Sequence, residues 1–275
     1  MKNRSYKKQF SLAGKTAVVT GGVGVLGREF CRGLAESGAD VAVVDLKKQD
    51  VEKFAGELRK DYGAEAMGIA CDVSDPESVK KMVKQATGHF GHLDILMNNA
   101  AAKSKNLKDF FKPFENYSLK TWREIMAVNL DGMFLVAQAV GSQMARSGKG
   151  GSIIQTASIY GILGPDPRIY EKSQYLGTKI NTPAVYSASK GGVVALTQYL
   201  AAYWAEKNIR VNTLTPGGVE SGQNKEFKKR YSARIPLRRM ADRSEMVGAL
   251  IYLASDASNY VTGHNLIIDG GLHAW

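Results

Sequence analysis

The segment Thr16-Ala-Val-Val-Thr-Gly-Gly-Val-Gly-Val-Leu-Gly27 constrains the fold more than any other part of the chain. A short run, apolar at its centre, ends in glycines, and a helical pattern follows from Leu26 to about Ser37. After Gly38-Ala39-Asp40 comes a second apolar run, Val41–Val44, ending in Asp45. Strand, glycine turn, helix and strand over this length make one β-α-β unit, in which parallel strands are joined by a crossover helix. The alternation continues to the end of the chain. Strands are expected at 66–70, 93–97, 152–156, 209–214 and 265–268, and helices at 78–90, 121–145, 184–207 and 244–253. Strands that are apolar throughout and separated by helices imply a parallel sheet covered on both faces. The expected architecture is a single α/β domain with a doubly wound parallel sheet, at residues 11–275, behind a basic tail at 1–10.

Composition adds bounds. The 275 residues are 44% hydrophobic and 23% charged, a globular balance. No apolar run is expected to reach the length of a membrane helix. The start of the chain lacks the apolar stretch of a secretory signal, so a soluble cytoplasmic protein is the expectation. Cys31 and Cys71 form no CxxC pair and read as small buried hydrophobes rather than a disulfide. His89, His92, His264 and His273 lack ligand spacing, so no metal is expected. The net charge of +11 admits an anionic partner, but the basic residues are scattered and no groove-reading motif accompanies them. A nucleic-acid partner is therefore not expected, nor a membrane.

Two groups carry chemistry. Gly22, Gly24 and Gly27 form a GxGxxG between a strand and a helix, where backbone can approach a pyrophosphate and the helix N-terminus favours anions. Asp45 stands 18 residues later at the end of the next strand. A carboxylate there accepts hydrogen bonds from ribose hydroxyls and repels the 2′-phosphate of NADP, which favours NAD; Lys47 and Lys48 soften that preference, and NADP is not excluded. Later, Tyr186 and Lys190 share a helix face at i and i+4. A free tyrosine titrates near ~10, too high for efficient proton exchange at neutral pH, and a nearby ammonium favours its phenolate.

Eight segments in order make the chain resemble the short-chain dehydrogenase/reductase family, from about Leu12 to Gly271. They are Thr20–Gly27, Asp72-Val73, Asn98-Asn-Ala-Ala101, Val128-Asn-Leu130, Gly151–Ile154 leading to Ser158, Tyr186–Lys190, Arg210–Gly217 and Ile268–Gly271. The resemblance implies a Rossmann-type fold and roles for particular residues. Tyr186 exchanges the proton with the substrate oxygen, Ser158 holds that oxygen, and Lys190 tunes the tyrosine and binds the nicotinamide ribose. Asn129 anchors a water that joins Lys190 to solvent. Gly21, Gly22, Val25 and Leu26 face the cofactor, Asp72 and Val73 the adenine, and Asn99 and Ala100 the adenosine ribose. Pro216, Gly217, Val219 and Ser221 hold the nicotinamide end. It also implies a homodimer or homotetramer formed through the two long helices.

The chain departs from the family at three places. Val25 stands where the pattern has a glycine, and Ala101 follows Asn-Asn-Ala where a glycine is common. Ser158 and Tyr186 are 28 residues apart, far more than usual. The extra residues, 161–182, either pass beside the substrate pocket or elaborate a subunit contact. Their aromatic and basic character favours a polar or anionic small molecule, and the resemblance implies a sugar, polyol or sugar acid as its class. A 3-oxoacyl reductase of fatty-acid type and a nucleotide-binding protein without catalysis are the alternatives.

Overall fold

The computed structural model describes residues 5–104 and 106–275. Residues 1–4 of the expected basic tail lie outside the described residues, and Tyr6–Phe10 form a short, mostly exposed 3-10 turn. Beyond it run β1 (Thr16–Thr20), α1 (Val25–Glu36), β2 (Asp40–Asp45), α2 (Lys48–Tyr62), β3 (Ala66–Ala70), α3 (Pro76–Phe90) and β4 (Ile95–Asn98). They are followed by α4 (Leu107–Phe110), α5 (Leu119–Met126), α6 (Gly132–Ser147), β5 (Gly151–Thr156), β6 (Gln174–Tyr175) and β7 (Thr178–Lys179). The chain then completes α7 (Ala184–Trp204), β8 (Ile209–Pro216), α8 (Lys225–Ala233), α9 (Val247–Ala254) and β9 (Asn265–Ile268).

Seven strands form one parallel sheet in the order β3-β2-β1-β4-β5-β8-β9. The order of chain progress reverses between β1 and β4, and open α/β sheets bind ligands at such a point, beyond the carboxyl ends of the strands. Alternate strand side chains serve two separate cores, as the two-residue period of a strand requires. Ala17, Val19, Val41 and Val43 face α1, α2 and α9, whereas Val18, Ala42 and Val44 face α3, α6 and α7. This is why the strands read as apolar throughout.

The structure adds elements that the periodicity reading left out. Helix α2 buries Val51, Phe54, Ala55 and Leu58, a clear i, i+3, i+4, i+7 stripe set among charged residues, and stops at Gly63 with φ +66°. Helix α8 is capped by the Asn224 side chain and buries Phe227 and Tyr231. The stretch expected as one helix over 121–145 is α5, a π turn at Ala127–Asp131, and α6. The expectation about membrane length needs correction, because Leu119–Ser147 form a 29-residue helical run long and apolar enough by length and composition to cross a bilayer. Its apolar residues Met133, Val136, Ala137, Val140 and Met144 are buried within the fold. Both cysteines are free and buried, in keeping with the packing role expected for them. Among the described residues, no group of three or more His, Cys, Asp or Glu side chains is placed to hold a metal ion.

The insertion has structure of its own. After a 3-10 turn at Pro167–Tyr170, β6 and β7 pair antiparallel around Leu176-Gly177. These two residues have φ of +48° and +74°, the primed geometry that matches a tight hairpin.

Candidate active site

A groove of about 630 Å³ runs across the carboxyl ends of β1, β2, β4, β5 and β8. Its floor is backbone. Gly21 leaves β1 with φ +63°, and Gly27 lies so close beneath it that a Cβ on Gly27 would sit 1.9 Å from the Gly21 carbonyl oxygen. The turn and the first turn of α1 can therefore stack only with glycine at 27. Helix α1 begins at Val25 with Gly24 as its cap residue, so the free amides of its first turn open onto the groove. Val25 is 46% exposed, has no positive φ, and presents its side chain at the groove wall. The departure from glycine is thus conformationally unstrained.

Asp45 closes one end of the groove. Its Oδ2 accepts from the Val23 amide at 3.2 Å and its Oδ1 from the Leu46 amide at 2.8 Å, which ties the carboxylate to the glycine turn. Asp72 accepts from the amide and hydroxyl of Ser74 and, with the buried Val73, lines the neighbouring wall. Asn99 spans three strands: its Oδ1 accepts from Thr156 Oγ1 at 3.1 Å, and its Nδ2 donates to the Thr20 and Gly21 carbonyls. Leu26, Ala100, Ala101, Pro216, Gly217, Val219 and Ser221 also line the groove. Gly22 does not. It donates to the Val44 carbonyl at 2.9 Å, and a Cβ there would stand 2.8 Å from Val43 Cγ1, so it packs tightly against β2. Asn98 is buried and ties β4 to β1, β5 and α6, the structural role expected of it.

At the other end stand Ser158, Tyr186 and Lys190, all on the groove wall. Ser158 follows β5 and is 7% exposed; its hydroxyl accepts from the Tyr160 amide at 3.3 Å. Tyr186 occupies the first turn of α7 and Lys190 the next turn. Burial pushes the Tyr186 phenol up from its ordinary value, and the adjacent Ser158 hydroxyl opposes that by favouring the phenolate. Lys190 is 2% exposed, and burial alone pulls its ammonium down to about 8. Its Nζ donates to the Thr156 carbonyl at 2.8 Å, which fixes the cation under the tyrosine end of the groove. Asn129 sits inside the π turn, fully buried and away from the groove lining. Its Oδ1 accepts from the Ala102 amide at 2.8 Å, while its Nδ2 has no protein partner. A buried donor left over in this way suits a water-mediated contact.

Ser158 and Tyr186 also face a second cavity of about 240 Å³. Its walls are largely aromatic: Tyr160, Tyr170 and Tyr175 from the insertion side, and Phe227 and Tyr231 from α8. The Lys103 ammonium lies 3.9 Å from the centre of the Tyr175 ring and supplies a positive charge to the wall. The insertion is held down on α8. Asp166 pairs with Arg234 at 2.9 Å, Glu171 pairs with Arg230 at 3.1 Å, and the Arg168 carbonyl accepts from Arg230 at 3.2 Å. Hydrogen bonds from Arg168, together with the Arg234 charge, hold the Asp166 carboxyl down to about 2. Residues of the 161–182 segment therefore line the cavity, as one of its two readings expects. Lys103, Phe227, Tyr231 and Gln223 were absent from the expected site. Phe227 and Tyr231 did carry a signal, an i, i+4 aromatic pair behind an asparagine cap.

A family model described as enoyl-(acyl carrier protein) reductase matches residues 22–273. The D-arabinitol 2-dehydrogenase (ribulose-forming) of Candida tropicalis is 35% identical, over 97% of this chain and 95% of that protein. The NADH-dependent L-xylulose reductase of Ambrosiozyma monospora is 33% identical, over 98% and 99%. Among solved structures, a gluconate 5-dehydrogenase from Burkholderia cenocepacia J2315, in complex with NADP and tartrate, superposes with a TM-score of 0.86. It is 32% identical, over 98% of each chain.

Proposed function

The chain belongs to the short-chain dehydrogenase/reductase family, and from that premise we propose that it interconverts a secondary alcohol and a ketone on a sugar, polyol or sugar acid, with NAD as the preferred cofactor. The observation that carries this reading is the placement of Ser158 and Tyr186 on the wall shared by the groove and the smaller cavity. Lys103, Tyr175, Gly217, Val219 and Ser221 line both spaces as well, and along this shared wall a group on the groove side meets a group on the cavity side.

The groove fits a dinucleotide on its own features. It is about 630 Å³, begins at open helix amides, ends at a buried lysine, and carries a carboxylate where an adenosine ribose would lie. When bound, the nicotinamide supplies the hydride acceptor or donor. The Asp45 carboxylate receives ribose hydroxyls and repels a 2′-phosphate, which supports NAD, while relatives include one named NADH-dependent and one solved with NADP.

In the oxidative direction Tyr186 accepts the hydroxyl proton through its phenolate oxygen, and Ser158 holds the substrate oxygen beside it. The Lys190 ammonium stabilises the phenolate through the turn of α7 and offers its remaining protons to a ribose hydroxyl. Asn129 positions a water through its spare donor and so joins Lys190 to bulk solvent. The cavity of about 240 Å³, with its tyrosine hydroxyls and the Asn181 and Gln223 amides, suits a small polyhydroxylated molecule better than a long acyl chain. Lys103 on the wall supports a terminal anionic group as well.

Homo-oligomerisation through the long helices is part of the proposal. It is supported by Phe134 on α6 and by Tyr199 and Tyr203 on α7, which are 44%, 63% and 65% exposed, the two tyrosines stacked at 5.9 Å.

The test records nicotinamide absorbance with NAD or NADP against sugars, polyols, sugar acids and an acyl thioester, beside the Tyr186→Phe variant. The expected result is NAD-linked turnover of a polyol or sugar acid that falls about 10²- to 10⁴-fold in the variant, with cofactor binding retained. Turnover of the thioester alone would replace the substrate class, and a fully active variant would remove Tyr186 from the chemistry.

A further inference from the structure

Gln223 occupies a complete primary-carboxamide socket. Its Oε1 accepts from the Ser221 amide at 2.8 Å. Its Nε2 donates to the Val219 carbonyl at 3.1 Å and to Ser221 Oγ at 3.1 Å. Both donors and one of the two acceptor lone pairs are satisfied, three of the four hydrogen bonds that a carboxamide can make. A nicotinamide ends in the same group. The two residues that hold Gln223 are among the four that the family resemblance gives to the nicotinamide end, so the likeness between the two carboxamides rests on the dehydrogenase reading.

The walls of the socket are fixed from behind: the Glu220 amide donates to the Ala241 carbonyl at 3.0 Å, the Ala241 amide donates to the Gly218 carbonyl at 2.9 Å, and Val219 bridges Ala241 as in a parallel strand. The occupant curls back from the other side of Gly222, whose φ of +98° is a conformation that side-chain-bearing residues rarely adopt. Gln223 is half-buried and also faces the cavity that holds Tyr186. Its backbone bridges Tyr175 of the β6–β7 hairpin in antiparallel fashion. The next residue reinforces that link, its amide donating to the Gln174 carbonyl and its Nδ2 to the Lys172 carbonyl, both at 3.3 Å.

We propose that Gln223 is an internal stand-in for the nicotinamide carboxamide, displaced when the cofactor binds and then turned toward the substrate cavity. Two equivalent groups compete for one set of partners, so the cofactor binds only the fraction of molecules whose socket is open, and its apparent affinity is reduced by that fraction. The released amide adds a donor and an acceptor beside Tyr186, and the backbone bridge carries the change to the hairpin above. Cofactor therefore enters before substrate, and a polyol meets its full set of partners only after the socket has been taken.

The experiment compares NAD with ADP-ribose, which lacks the nicotinamide, in the wild type and in Gln223→Met and Gln223→Ala. Methionine keeps the length of glutamine and cannot fill the hydrogen-bonding set. NAD is expected to bind either variant about 5-fold more tightly or better, with ADP-ribose binding unchanged. The substrate KM is expected to rise in the same variants. NAD affinity that stays the same or falls, with ADP-ribose still binding, overturns the stand-in role while leaving the dehydrogenase reading intact. A KM that does not move overturns the handover to the substrate. Loss of ADP-ribose binding in both variants makes Gln223 a structural residue and overturns the proposal. A wild type that binds ADP-ribose but gains nothing from the nicotinamide would sink the assignment of the socket itself.

Discussion

The groove and the cavity meet at Tyr186, yet they are walled by different materials. The groove is mostly backbone: the stacked turn of Gly21 and Gly27, the open amides at the start of α1, and carboxylates such as Asp45 that are themselves fixed by main-chain amides. The cavity is mostly side chain: tyrosines from the insertion and α8, a lysine from the loop after β4, and ion pairs that fasten one segment to another. A backbone wall has one shape and fails as a whole when one atom is added. A side-chain wall tolerates substitution, and each change is felt as a graded loss of affinity.

The largest break in that contrast is expected from Gly27→Ala. The added methyl would overlap the Gly21 carbonyl oxygen at 1.9 Å, and no side chain is there to move aside. A loss of about 3 kcal/mol in urea unfolding is expected, with dinucleotide binding lost alongside. A variant that unfolds with the wild type would show that the turn yields, and the groove would have to be counted as deformable.

A smaller effect tests the seam between the two regions. The Lys190 ammonium is drawn down to about 8 by burial, from an ordinary lysine value of 10.5. Between those values the unfolded chain holds a proton that the folded chain has released, so this residue's contribution to stability rises as pH climbs through the window. Lys190→Met should flatten that rise, which is on the order of 2 kcal/mol, while nearly abolishing turnover. Unfolding measured at pH 7, 8, 9 and 10 checks it, and parallel curves for the two proteins would mean that the lysine titrates outside the window.

The smallest effect belongs to the fastening of the insertion. Asp166→Ala removes the partner of Arg168 and Arg234 at the surface. Substrate KM is expected to rise about threefold, with cofactor affinity unchanged and the difference shrinking in high salt. Because the carboxyl is held down to about 2, the wild-type pairing persists through mild acid and fades only as pH falls toward that value. A change in cofactor affinity of the same size would mean that the two regions are mechanically one.

The difference in materials also governs what could be read in the sequence. The sheet, the turn and the Tyr186–Lys190 pair were legible because each depends on a residue type at fixed spacing, and main-chain geometry does the rest. Helix α2 was missed although its apolar stripe is regular, because nine of its fifteen positions are polar or charged and the stripe alone carries the signal. Gly22 was read through its part in the glycine pattern, and the neighbouring strand's own demand for a hydrogen atom there was not legible. Lys103, Tyr175 and Gln223 come together from segments 72 and 48 residues apart, and no local pattern announces a meeting of that kind.

The two ends of the insertion are pinned where they matter. Ser158 is set by β5 and Tyr186 by α7, so the chain between them begins and finishes at points that the sheet has already brought together. Closing a loop whose ends are already neighbours costs only about 0.6 kcal/mol more for each doubling of its length. The segment is therefore an exchangeable cassette. A lineage can shorten it, extend it or rewrite it to greet a new metabolite, and an engineer can graft it, while the proton-handling residues on either side keep their positions.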